Sequence, residues 1–229
     1  MRCERILQEW EGKLMVTLQL NQIKVLPGQT VILKEIYWPK FEAILEALGD
    51  HRSSRIAYSK GTLEIMTPLP EHEVIKGIVS DVVKILLEEL NINCEVFGST
   101  TFKREDLDKG IEPDESFYIK NSDKMMGRDR IDLTLDPAPD LVIEIEVTSP
   151  TQLDIYQSLG VLELWQVKNR QLQINILENG QYIDSKTSPT FPNLSIIERV
   201  NYTLKQAYSM GRSPALREFR QWIKQQIKE

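Results

Sequence analysis

The chain has 229 residues, 41% hydrophobic and 27% charged, which suits one globular domain with a buried core and additions at its ends. Two widely separated cysteines, Cys3 and Cys94, and two histidines, His51 and His72, argue against a Cys/His zinc site and a disulfide framework. No apolar run reaches membrane-span length and the N-terminus leads into no signal-peptide core, so a cytoplasmic protein is expected, while the net charge of -6 counts against a nucleic-acid binder working by electrostatics alone.

Residues 1–30 show no sustained period and read as part of a loosely attached extension over 1–34. The main domain is expected over 35–200 and a helical tail over 201–229. Phe41, Ile44, Leu45 and Leu48 recur at helical spacing and Gly49 follows them, which predicts a helix over 38–48. Arg55 to Tyr58 and Thr62 to Met66, joined through Gly61, predict a hairpin. From Glu71 to Leu90, the residues Ile75, Ile78, Val79, Val82, Val83, Leu86 and Leu90 form one stripe, so a long helix should pack across a sheet.

Strands are expected at 95–102, 115–119, 141–147, 164–168, 171–177 and 181–185. Lys120 to Pro139 has charges and prolines without a period and reads as a surface loop. A short helix between Thr151 and Gly160 returns the chain to Trp165, and a final helix starts near Ser213. This order predicts an α/β or α+β fold, a mixed β-sheet flanked by helices.

The most informative stretch runs from Pro139 to Val147. Side chains alternate across a strand, so Asp140, Val142, Glu144 and Glu146 share one face and Leu141, Ile143, Ile145 and Val147 the other. A half-exposed antiparallel strand also carries acids on its wet side. Here no basic residue interrupts the run, and a second Pro-Asp pair, Pro113 and Asp114, stands before another apolar segment. Carboxylates converging at strand ends repel one another, and a divalent cation relieves that repulsion. A metal site is the first reading, with Asp114 and Asp140 side by side if their strands pair.

Glu112-Pro113-Asp114, the run from Pro139 to Ile145, Thr148-Ser149-Pro150 and the stretch from Ile155 to Trp165 together resemble the Uma2 family. The hairpin from Gly61 to Pro68, Glu71-His72-Glu73 and the run from Phe97 to Phe102 add to the likeness, which covers about residues 35–200. The family is a group of restriction-endonuclease-like proteins within the PD-(D/E)XK nuclease superfamily. The resemblance implies a restriction-endonuclease-like core that acts on DNA with Mg²⁺ or Mn²⁺. It also implies Asp114 and Glu144 as metal carboxylates, the Ile145 carbonyl as a further ligand, and Asp140 as their partner on the same strand.

The superfamily pattern places a lysine two residues after the second acid, where this chain has Glu146, and none occurs between Thr151 and Tyr156. Lys168 is the nearest lysine downstream. Either Glu146 holds a second metal and joins the catalytic set, or the chain cleaves poorly and keeps its fold for binding or dimerisation. A phosphoesterase acting on small substrates would use the same ligands. Many nucleases that cut both strands are dimers, and the apolar C-terminal helix offers either an interface or a cap on the core. Glu73 is expected in solvent, His72 as a partly buried structural histidine, and Tyr156 and Trp165 in packing roles.

Overall fold

A computed structural model describes residues 20–49, 53–147 and 150–228; residues 1–19 of the expected extension lie outside the described residues, as do His51, Thr148 and Ser149. Within the described part, β1 (Thr30–Leu33) pairs with the second hairpin strand, a contact that the irregular sequence before it does not announce.

The helix α1 (Trp38–Leu48) begins with proline in its first turn, where a missing N–H costs nothing, and stops at Gly49. It buries Phe41 against β2 (Arg55–Ser59) of the hairpin formed with β3 (Thr62–Met66), and the Phe41 ring stacks on Tyr58 at 4.2 Å. α2 (Pro70–Glu89) is the long amphipathic helix, with Ile75, Ile78, Val79, Val82, Val83 and Leu86 buried.

The single strand expected over 95–102 is two short ones. β4 (Glu95–Val96) and β5 (Phe102–Arg104) lie in different sheets, because Gly98 takes a φ of 58° and turns the chain between them. β6 (Lys109–Ile111) follows. Its Gly110 is required by close packing, since a Cβ there would lie 2.9 Å from Phe41 Cζ. β7 (Glu115–Tyr118) leads through the expected loop, which contains one helical turn, α3 (Ser122–Met125), to β8 (Leu141–Glu146).

β8 and β9 (Glu163–Lys168) are parallel neighbours, and parallel strands need a crossover, supplied here by α4 (Leu153–Leu159). β10 (Gln171–Glu178) and β11 (Gln181–Ser185) complete a six-stranded mixed sheet of order β11-β10-β9-β8-β7-β4. The other sheet, β1-β3-β2-β6-β5, is antiparallel throughout. The fold is therefore α+β, with the expected mixed sheet and a second, antiparallel sheet beside it.

α5 (Ile196–Met210) and α6 (Arg212–Gln226) finish the chain, and Phe219 and Ile223 of α6 join the α2 residues in one core cluster with Leu141, Ile143 and Ile145. Val142, on the opposite face of β8, belongs to a second cluster with Tyr156 and Leu164. Burial of Leu141, Val142 and Ile143 stabilises the strand by about 1.5–3 kcal/mol each. That anchoring fixes where the acids of β8 can point.

Candidate functional site

Antiparallel pairing sets Glu115 opposite Ile143 and Phe117 opposite Leu141. One residue beyond β7, the same register sets Asp114 opposite Glu144. At the other end it sets Tyr118 opposite Asp140. Asp114 and Asp140 each precede a strand, but those strands run in opposite directions, so the two acids stand at opposite ends of the pair rather than side by side. Asp140 is four residues from Glu144 along β8, roughly 13 Å at strand rise.

Asp114 is only 3% exposed. Its Oδ2 accepts the Ile145 N–H at 2.7 Å, and the His72 Nε2 lies 3.0 Å from the same oxygen. The β7–β8 ladder has ended there, so the Ile145 amide takes a side-chain carboxylate in place of a strand partner. The other oxygen, Oδ1, lies 3.9 Å from Nε of Arg55, a residue of the neighbouring sheet.

Glu144 accepts a hydrogen bond from the Tyr156 hydroxyl, brought over the acidic face of β8 by the crossover helix. Burial, and then the adjacent Asp114 carboxylate, push the Glu144 carboxyl well above the usual carboxylate range. Burial and the neighbouring Glu144 likewise raise the Tyr156 hydroxyl, which stays a proton donor. A buried carboxyl set against a neighbouring carboxylate at a strand edge has the chemistry of a hard-cation site.

The other acids of the stripe are engaged elsewhere. Asp140 Oδ2 accepts the backbone N–H of Ile119 at 2.7 Å and of Asn121 at 3.3 Å, closing the turn after β7. Glu146 Oε1 accepts the Thr151 N–H and the Gln166 side-chain amide, both at 2.8 Å, while Lys168 Nζ lies 3.5 Å from Oε2. Burial opposes the charge on Glu146, but the Thr151 bonds and Lys168 outweigh it and hold the carboxyl below its usual range. Among the described residues, no group of three or more His, Cys, Asp or Glu side chains is placed to share one metal ion.

Lys168 is exposed and faces Glu146 across the parallel register, not Asp114 or Glu144. Glu73 is half-exposed and pairs with Lys76 at 2.9 Å. His72 is buried, but against Asp114 and not merely in the core. Trp165 is buried, with its indole N–H donating to Glu163. Tyr156 packs in the core as expected, and its hydroxyl also belongs to the site. Sequence patterning missed that contact and Arg55; the usable signal for Tyr156 was that a β8–β9 crossover must pass over one face of β8.

Residues 38–205 match the Uma2 family, described as putative restriction endonuclease. Among solved structures, the chain is similar to a putative nuclease belonging to DUF820 from Anabaena variabilis ATCC 29413. The identity is 16% and the TM-score 0.47, over 65% of this chain and 90% of that one. None of the curated proteins matches the chain. No described helix is long and apolar enough to cross a membrane.

Proposed function

The chain belongs to the Uma2 family of putative restriction endonucleases, and from that premise we propose that it is a divalent-metal-dependent endonuclease hydrolysing DNA phosphodiester bonds. The observation that carries this reading is the opposition of Asp114 and Glu144 across the β7–β8 register. Mg²⁺ is commonly held by one or two carboxylates and keeps several waters, so this pair suits it without a third acid. A strand residue presents its N–H and C=O to the same edge, which puts the Ile145 carbonyl beside Asp114, where its N–H already points. Asp114, Glu144 and the Ile145 carbonyl would hold Mg²⁺ or Mn²⁺, an ion that polarises a phosphodiester and lowers the pKa of an attacking water.

The chain's own residues set the geometry. His72 and the Ile145 amide fix Asp114 through Oδ2, and Oδ1 lies 3.9 Å from Nε of Arg55. Tyr156 orients Glu144. Glu146 binds the backbone of Thr151 just before α4 and so positions the helix that carries Tyr156. Its oxygens face three donors, which speaks for this supporting role over a second metal. Asp140 holds the far end of β7 in register.

The test is nicking of supercoiled plasmid by the wild type in Mg²⁺ or Mn²⁺, with chelator controls and the Asp114→Ala and Glu144→Ala variants. Metal-dependent nicking lost in both variants supports the proposal. A second reading, a nuclease-fold module that binds without cleaving, is favoured by Glu146 in the position where the resemblance places a lysine. Metal-dependent nicking that disappears in Glu144→Ala would dispose of it.

A further inference from the structure

We infer that Arg55 is the phosphate-binding cation of this site, meeting the DNA backbone beside Asp114 and Glu144 from a different sheet. The inference rests on the nuclease reading above. A phosphodiester brought to two carboxylates needs positive charge beyond a single divalent ion, because negative charge grows on the phosphoryl oxygens as the attacking oxygen adds. Lys168 is committed to Glu146 and Lys76 to Glu73. Arg55 differs from both.

Its Nε lies 3.9 Å from Asp114 Oδ1 and its terminal nitrogen 3.9 Å from Glu73, beyond hydrogen-bond reach in each case. Nε is buried and has no hydrogen-bond partner among the described residues, an uncommon state for a group with five donors in a fixed fork. The side chain is 16% exposed, so one edge still reaches solvent.

The backbone explains why the guanidinium sits there. The Glu112 N–H donates to the Ile56 carbonyl at 2.9 Å, and the Ile56 N–H donates to Glu112 Oε2 at 3.1 Å. This two-way clamp ties the residue after Arg55 to a residue two before Asp114. A cation that only neutralised Asp114 would be expected to hydrogen-bond it. A guanidinium held near it with Nε free of a hydrogen bond among the described residues is prepared for an anion that offers two oxygens, such as a phosphodiester, which arginine binds through two parallel N–H groups.

The experiment measures binding of a short DNA duplex in Ca²⁺ over a range of salt, and Mn²⁺ binding by calorimetry, for wild type, Arg55→Ala, Arg55→Gln and Arg55→Lys. Thermal melts identify any variant that fails to fold. Arg55→Ala and Arg55→Gln should bind DNA about tenfold more weakly, with a salt slope shallower by about one. Arg55→Lys should restore the slope. Mn²⁺ affinity should not fall in any of them, because a cation has left the neighbourhood of the carboxylates. Unchanged DNA affinity in folded Arg55→Ala or Arg55→Gln overturns the assignment, as does a wild type that binds Mn²⁺ but not DNA. Wild type that fails to bind Mn²⁺ overturns the nuclease reading itself.

Discussion

The Ile145 N–H donates to Asp114 Oδ2 at 2.7 Å, at the point where the β7–β8 ladder ends. One carboxylate thus replaces a strand partner and is held beside Glu144. Asp114→Asn keeps an acceptor for that N–H but removes the charge, whereas Asp114→Ala leaves a buried donor unpaired, at a penalty of about 1–3 kcal/mol. Both variants should lose metal binding in calorimetry, and thermal melts should show Asp114→Ala as the less stable.

Glu144 supplies the pH dependence. Burial and the Asp114 carboxylate raise its folded pKa, so the folded protein holds this proton more tightly than the unfolded chain. Its stabilising contribution is complete below the unfolded carboxyl value and is lost as pH rises through the folded value. In chelator, the wild type should lose Tm across that window while Glu144→Gln does not. Above it, Glu144→Gln should be the more stable protein, and about 1 kcal/mol corresponds to roughly 2–4 °C in a chain of this size.

Tyr156→Phe keeps the buried ring and removes the hydroxyl that orients Glu144. Removing a group that orients a metal ligand commonly weakens metal affinity by about 10–100-fold. Mn²⁺ calorimetry should show a loss in that range, while the melting temperature shifts by only a few degrees.

Glu112, in the link from β6 to β7, accepts the Ile56 N–H of β2 and the Thr101 hydroxyl, the latter at 2.6 Å. Glu112→Ala should destabilise the fold by about 1–3 kcal/mol through the unpaired Ile56 amide. It should also weaken duplex binding in Ca²⁺ by releasing the strand that carries Arg55. Denaturant unfolding and the duplex titration report these two effects separately.

How much could be read in advance depended on whether the deciding contact was local. α1, α2 and the 55–66 hairpin were visible because their apolar periods and stop signals lie within a short stretch. The alternation of β8 correctly separated Leu141, Ile143 and Ile145 from the acids. Periodicity does not encode strand direction, so the same pattern allowed Asp140 beside Asp114 when antiparallel pairing separates them. The side on which a stripe is bonded is equally hidden: Glu146 turned out to serve Thr151, Gln166 and Lys168. Arg55 was invisible for the same reason. It reaches Asp114 only because Glu112 joins segments that are remote in sequence.

The central claim is that Asp114 and Glu144 together hold one divalent ion. Calorimetric titration of Mn²⁺ into the metal-free wild type, Asp114→Ala and Glu144→Ala tests it most directly. The account predicts saturable binding in the wild type that is lost in each variant. Absence of binding in the wild type, or equal binding in all three, would contradict it.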